Sequence, residues 1–201
     1  MGKFVVKDSF YNKAKKEGFR ARSAYKLKEI QDKYHLIKKG DKVLDLGCAP
    51  GSFLQVLSGI VGDNGLAFGI DILPAQNLPT KNITAIQADI RTIDIKNILS
   101  QLSITAFDIA TCDIAPNLSG IRDVDNANIE DLTGAVIKTV RVGLKPGGAF
   151  ILKSFFTDTL KGVTQELQKT FQRVTPYKPA ASRSVSSEVY LICTGKKNHL
   201  T

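Results

Sequence analysis

Val43-Leu44-Asp45-Leu46-Gly47-Cys48-Ala49-Pro50-Gly51 is the stretch from which the fold is read. An apolar run carrying one acid breaks into a loop with two glycines, and an amphipathic segment from Ser52 to Val61 follows; this predicts a buried strand, a tight turn and the start of a helix. Glycine at 47 and 51 lets main chain approach a ligand without an intervening side chain, and the helix beyond offers unpaired N–H groups. The loop lacks the spacing of the G-x-G-x-x-G dinucleotide fingerprint and the Lys-[Ser/Thr] of a P-loop, so it is not built to grip a pyrophosphate or triphosphate. A nucleoside without phosphate fits it better. An ordinary strand-to-helix turn is the plainer alternative.

Working outward, Leu66 to Asp71 is expected as a second buried strand, its acid 20 residues after Gly51. That is near the spacing at which a carboxylate accepts hydrogen bonds from a ribose in nucleotide-binding α/β folds. The pattern continues with a third strand over Ile83–Ala88 closed by Asp89, a helix around Asp94–Leu102 and a fourth strand over Phe107–Asp113. Three strands thus end in Asp. In an open parallel sheet ligands bind at the carboxyl ends of strands, so Asp71, Asp89 and Asp113 are expected to line one crevice beside the Gly47–Gly51 loop. A long helix is predicted from about Asp125 to Gly143, a turn at Lys145-Pro146-Gly147-Gly148, a fifth strand from Ala149 ending at Lys153, a helix over Thr159–Lys169, and strands over Gln172–Lys178 and Glu188–Thr194, with a frayed tail after them. An amine at the end of a buried strand calls for a partner, and the crevice supplies Asp113. Upstream, Asp8 to Tyr34 carries Phe10, Tyr11, Leu27, Ile30 and Tyr34 at helical spacing with Gly18 between; it reads as two short helices, the second starting near Ser23 as N-cap and ending before Lys39-Gly40. Lys26 then lies beside the apolar stripe, at the rim between core and solvent.

Composition bounds what this can be. With 201 residues, 43% hydrophobic and 23% charged, the chain suits one sizeable α/β domain. No apolar run approaches the ~18 residues of a membrane span, and the first residues form no long apolar signal core. Cys48, Cys112 and Cys193 are too scattered for a disulfide framework, and two histidines give no metal-ligand cluster by spacing. The net charge of +9 is unevenly placed: residues 1–42 hold 13 Lys/Arg against 5 Asp/Glu, residues 43–150 hold 7 against 11, and residues 151–201 hold 8 against 3. A mildly acidic middle between basic ends suggests a small-ligand core whose termini meet a polyanion, RNA or DNA, through release of phosphate counterions. The plainer reading is a basic surface serving solubility.

Five segments together carry a resemblance: Arg22-Ser23-Ala24-Tyr25-Lys26-Leu27, the Asp45–Gly51 loop, Asp113-Ile114-Ala115-Pro116-Asn117-Leu118-Ser119-Gly120, Lys153 on its strand, and Ser182 to Tyr190. In this order the chain resembles the FtsJ/RrmJ family of S-adenosylmethionine-dependent RNA ribose 2′-O-methyltransferases, from about Phe10 to Gly195. The resemblance implies a Rossmann-like class I methyltransferase fold: a mostly parallel seven-stranded sheet with helices on both faces and an antiparallel last strand, in a single domain made of a basic helical arm (1–42), a core (43–195) and a tail (196–201). It implies a catalytic tetrad of Lys26, Asp113, Lys153 and Glu188, and S-adenosylmethionine contacts at Asp45, Gly47, Ala49, Pro50, Gly51, Phe53, Asp71, Ile72, Asp89, Ile90 and Asp113, with no metal. Ser52-Phe53 stand where relatives usually show Gly-Trp, and Ile90 where an aromatic often meets the adenine. The implied partner is RNA, a uridine of ribosomal RNA or an assembled ribosomal subunit first, with tRNA or an mRNA cap as the alternative; the chain is expected to be a monomer, off the membrane and cytoplasmic, or in an organelle if a targeting segment precedes this sequence.

The tetrad also makes chemical sense. A ribose hydroxyl is a poor nucleophile unless its proton leaves as the new bond forms, so a base is needed. A free lysine, pKa about 10.4, is protonated at neutral pH; crowding by a second lysine and burial are the two influences that free an amine. Lys153 is the expected base, with Asp113 and Glu188 orienting the amines. The rival account keeps both lysines charged and lets them steer the hydroxyl. A small-molecule or protein methyltransferase on this fold, and a non-catalytic RNA-binding module, remain the competing functions.

Overall fold

The structure, a computed structural model, describes residues 9–75, 78–115, 119–156, 159–183 and 186–198. Seven strands, β1 (Lys42–Leu46), β2 (Leu66–Asp71), β3 (Ile83–Gln87), β4 (Phe107–Cys112), β5 (Leu144–Phe155), β6 (Phe171–Tyr177) and β7 (Glu188–Lys196), form one sheet in the order β3-β2-β1-β4-β5-β7-β6. Strands β1 to β5 pair in parallel, and β7 runs antiparallel to both β5 and β6. The order reverses between β1 and β4, which puts the switch point where β1 runs into the glycine loop. The helices are α1 (Ser9–Lys16), α2 (Ala24–Tyr34), α3 (Ser52–Val61), α4 (Ile95–Gln101), α5 (Arg122–Gly143) and α6 (Thr159–Thr170).

The period of two along each strand sorts the core into two layers. Val43, Ala67, Ile109, Ile151 and Ile192 pack with Ala24, Leu27 and Ile30 of α2 and with Phe53, Leu54 and Leu57 of α3. Leu44, Phe68, Ala110, Leu152 and Leu191 pack with α4, α5 and α6 through Ile98, Val140 and Leu167. By the same alternation Asp45, Thr111, Asp113, Lys153, Tyr190 and Glu188 fall on the α2–α3 side. A third, small cluster of Ala14, Tyr25 and Ala181, joined by Phe10 and Phe19, seats α1 on α2.

Several boundaries differ from expectation for local reasons. Helix α2 stops at Tyr34, five residues before the anticipated Lys39-Gly40, because His35 adopts a left-handed conformation (φ 50°) and its N–H closes on Gln31 O. Ser23 is not a side-chain cap: its hydroxyl pairs with that of Ser52 at 2.7 Å instead. The Lys145–Gly148 turn is absorbed into β5 as a bulge, with Phe107 opposite Leu144 but Ile109 opposite Ala149. Helix α5 begins at Arg122; Asp125, inside its first turn, accepts from Ser119 and Gly120 and so holds the preceding loop. Strand β7 extends through Lys196 and pairs it with Phe171, so Gly195 and Lys196 are sheet rather than tail.

Residues 9–42 are also less of an arm than the charge suggested, since Ala24, Leu27 and Ile30 of α2 are fully buried. Leu27→Ala is therefore expected to lower the unfolding free energy by about 2–5 kcal/mol in urea denaturation, against roughly ±0.5 kcal/mol for a helix lying on the surface.

Candidate active site

At the carboxyl edge of the sheet, over the switch point, lies a cavity of about 500 Å³, the size of a small-molecule site. Gly47 and Ala49 of the loop after β1, Asp71 and Ile72 after β2, Asp89 and Ile90 after β3, and Asp113 after β4 line it. Asp45, Pro50, Gly51 and Phe53 do not. Asp45 is wholly buried beneath the loop, its Oδ1 taking the Thr111 hydroxyl at 2.6 Å while Oδ2 has no partner. Phe53 belongs to the α2–α3 core. Pro50 and Gly51 turn away from the cavity, and Pro50 O receives Arg20 Nη1 at 2.9 Å. Gly47 is needed for a close approach, but by the chain itself: with φ at +74°, a Cβ there would stand 2.1 Å from Ile114 Cγ1.

Strand-end carboxylates shape the crevice before any ligand arrives. Asp71 accepts from Ala49 N–H and from Leu73 N–H, both at 2.9 Å, and so fixes the glycine loop against β2. Asp89 accepts from Arg91 N–H at 2.9 Å, and Arg91 Nε reaches Asp131 Oδ2 at 2.6 Å, which ties the turn after β3 to α5. The other wall is apolar: Ile90 is buried, whereas Ile72 and Leu73 stand 58% and 61% exposed beside the opening. Large apolar side chains left in solvent at a cavity mouth suit a flat, weakly polar group such as a purine.

Next to this crevice the four tetrad residues are gathered. The Lys26 ammonium, reached from α2, lies 2.5 Å from Glu188 Oε1 at the start of β7, although that oxygen makes no aligned hydrogen bond; both side chains are more than 90% buried. Lys26 is thus inside the site rather than on the rim. Lys153 Nζ, on β5, lies 3.4 Å from Asp113 Oδ1 and donates to the Asp113 main-chain carbonyl at 3.2 Å. Burial raises the Glu188 carboxyl, but Lys26, a Ser182 hydroxyl and the further charge of Lys153 outweigh it and hold the group below the ordinary range.

One member of the site was not assigned from sequence. Tyr190 stands directly across the ladder from Lys153, is fully buried, and donates its hydroxyl to Asp113 Oδ1 at 2.5 Å, with the Lys26 ammonium 5.8 Å from its ring centre. Burial and the Asp113 charge raise its phenol well above 10, so it stays a donor. Its signal was the period of two: Glu188 and Tyr190 share a face. Arg91, Ile114, Asn128 and Leu132 also line the crevice without having been anticipated, because the positions of α5 and of the loop after β4 relative to the sheet are tertiary facts. Pro116-Asn117-Leu118, Ser184 and Val185 of the quoted motifs lie outside the described residues. Among those described, no group of His, Cys, Asp and Glu is placed to hold a metal, and no helix is long and apolar enough to cross a membrane.

A sheet in this order, with an antiparallel β7 and a strand-end crevice walled by a glycine loop and three acids, defines an α/β fold of the methyltransferase type. The crystal structure of a putative ribosomal RNA methyltransferase from Plasmodium falciparum superposes with a TM-score of 0.76 at 29% identity, over 89% of this chain and 98% of that one. A fibrillarin of Aeropyrum pernix, crystallised with S-adenosyl-L-methionine, matches at 0.56 and 16% identity over 79% and 68%, a likeness of fold alone. The family model of FtsJ-like methyltransferases matches residues 19–196, and the chain belongs to that family. Relatives named Ribosomal RNA large subunit methyltransferase E include those of Methanothrix thermoacetophila, 44% identical over 95% of this chain and 72% of the relative, and Bdellovibrio bacteriovorus, 38% identical over 95% and 97%.

Asp45 makes a pH prediction. Burial raises its carboxyl to about 8; the Thr111 hydroxyl lowers it, and the charges of Asp113 and Asp71 add to the rise. A folded-state value above the unfolded 3.8 means that its contribution to stability is complete below about 4 and is lost as pH rises toward 8. Asp45→Asn is expected to flatten the decline in stability between those limits, read from urea midpoints at fixed pH steps; parallel profiles for the two proteins would contradict it.

Proposed function

We propose that the chain transfers a methyl group from S-adenosylmethionine to a ribose 2′-hydroxyl of RNA, with a uridine of large-subunit ribosomal RNA as the substrate. One observation carries the reading: Asp113 both walls the ligand crevice and holds Lys153. A small-molecule methyltransferase needs the crevice, but not a lysine pair sunk beside it. The names of the relatives support the ribosomal substrate.

The residues present suit this cofactor. The cavity is large enough for a nucleoside bearing an amino-acid arm, its carboxylates oppose a cationic ligand, and Ile72, Leu73 and Ile90 offer an apolar wall for a base. Bound there, the cofactor supplies a methyl on a sulfonium, which is open to in-line attack. The protein's part is to hold the hydroxyl and remove its proton. As the free amine, Lys153 Nζ, held beside Asp113 by the main-chain carbonyl, accepts that proton; the Asp113 carboxylate is itself fixed by Tyr190. Lys26, held by Glu188, directs the ribose. No bulk water needs to enter, since both ion pairs are largely buried.

Lys153→Ala is expected to lower single-turnover methyl transfer by about 10²–10⁴ while cofactor affinity stays within a few-fold. Lys153→Arg separates the two roles of the amine, because a guanidinium keeps its charge and does not deprotonate. No recovery is expected. Recovery of rate with Arg would show that positive charge, not proton removal, is what position 153 provides. Digesting cellular RNA to nucleosides, and mapping which 2′-O-methyl mark vanishes on deletion, tests the substrate.

For RNA contact the favoured surface is the exposed basic side of α1 and α2 together with the loop after β6. That loop is clamped to α2 by Glu29, which accepts from Tyr177 O–H at 2.6 Å, Ala180 N–H at 2.8 Å and Ala181 N–H at 3.2 Å. Lys15 and Lys16 are exposed and outside the core. Changing both to Gln is expected to flatten the log–log salt dependence of poly(U) binding by about 0.7 per lost phosphate contact, in filter retention from low to moderate salt. An unchanged slope would leave these lysines as a solvated surface.

A further inference from the structure

The segment that leads into α2 is fastened to the cofactor loop from behind. Gln55, on α3, accepts Arg20 N–H on Oε1 at 3.0 Å and donates Nε2 to Gly18 O at 2.9 Å, clasping the main chain of 18–20 as a neighbouring strand would. Arg20 Nη1 then donates to Pro50 O at 2.9 Å, and it lies close enough to Gly51 that a Cβ there would stand 3.3 Å away. Three residues on, the Ser23 and Ser52 hydroxyls meet at 2.7 Å. These links span 29 to 37 residues of sequence and join two things a methyl transfer must hold in register. One is the loop whose other side, Gly47 and Ala49, walls the crevice; the other is the helix that carries Lys26.

The need for such a support is visible in the loop. Gly51 precedes α3 at φ +108°, and no side chain caps that helix start. On the crevice side Asp71 fixes Ala49 N–H. On the far side Pro50 O is held by a guanidinium, a charge-assisted bond stronger than a neutral one. Gly47 and Cys48 N–H also donate to Ile70 O, so β2 holds the start of the loop, and Arg20 is the side chain that holds Pro50 near its end.

We propose that Arg20 is a positioning residue for the cofactor: with Gln55 it buttresses the Gly47–Gly51 loop from the side away from the crevice and locks it to the helix bearing Lys26. The inference rests on the reading that the crevice takes S-adenosylmethionine. It separates Arg20 from the other cations of residues 1–42, which the charge pattern would assign together to RNA phosphates.

S-adenosylhomocysteine, which does not turn over, is the probe. Its affinity is measured by calorimetry for the full chain and for Arg20→Met, Arg20→Lys and Gln55→Leu, with circular dichroism and thermal midpoints as controls; poly(U) retention is followed against salt in parallel. Arg20→Met is expected to weaken the probe roughly tenfold, as loss of a hydrogen bond made by a charged group does, and Arg20→Lys to recover part of it. Gln55→Leu, which keeps the guanidinium, should shift the affinity in the same direction. The poly(U) salt slope should not change. A folded Arg20→Met that binds the probe like wild type overturns the proposal; a salt slope flatter by about 0.7 would then mark Arg20 as a phosphate contact, and a lowered midpoint alone would mark it as structural. If the wild-type chain itself fails to bind the probe, the cofactor reading fails first, a result distinct from any of these.

Discussion

Asp113 is the carboxylate on which the site depends, because it serves two neighbours whose demands differ. It directly follows β4 at the crevice wall, so one side faces the cavity. Its Oδ1 also receives Tyr190 O–H and lies next to Lys153 Nζ. Each of these constraints comes from a different strand: β4 supplies the acid, β5 the amine and β7 the phenol. Only a sheet in which β4, β5 and β7 are neighbours can bring them together, and the order β1-β4-β5-β7 is what the antiparallel insertion of β7 produces. Fold and chemistry are therefore linked at one residue, and shifting β7 by a single position in register would send Tyr190 and Glu188 to the opposite face.

The second pair has a different physical standing. Lys26 and Glu188 are more than 90% buried, and bringing two charges out of water offsets much of their attraction, so an apolar pair of similar volume would serve stability as well or better. Removing one partner alone would be far more damaging, since the other would be left charged and uncompensated. Such an arrangement contributes little to folding, but it fixes an ammonium at a defined point beside Asp113 and Lys153. The hypothesis that follows is that the pair is there for the chemistry. Its dependence on acid has a definite sign: Glu188 is held below its usual range, so what the pair contributes is present above about 4.5 and declines as pH falls through the folded value.

Much of this was legible in the residues. The strand-end acids Asp71, Asp89 and Asp113 could be placed in one crevice because parallel strands share a carboxyl edge, and strand polarity follows from alternation of strand and helix patterns. Lys153 announced itself as an amine closing an apolar run, although the strand was expected to end there and β5 continues to Phe155 against β7. What was not legible depended on layers rather than periods. Asp45 sits in the same motif as Gly47, yet the pleat sends it under the loop, toward Thr111 and away from the cavity. Phe53 reads as a loop neighbour but lies on the inward face of α3. Lys26 reads as a rim lysine until β7, 162 residues later in the chain, places Glu188 against it; no local pattern carries that information.

The same distinction governs the basic segment before the sheet. Counted along the chain the cations form one block, but the structure divides it by what each side chain meets. Lys15 and Lys16 face solvent, Lys28 lies 5.4 Å from the Phe19 ring centre and 5.8 Å from that of Tyr25, Lys26 is interior, and Arg20 grips the loop after β1. Long cationic side chains are amphipathic, and their stems and heads are used separately. Helix α2 and the turn before it thus deliver Lys26 to its buried pair with Glu188 and Arg20 to the loop after β1, while Lys15 and Lys16 of α1 stay in solvent. The buried residues Ala24, Leu27 and Ile30 make α2 part of the core, so Lys26 and the loop that Arg20 grips are held by one packed layer on the same face of the sheet.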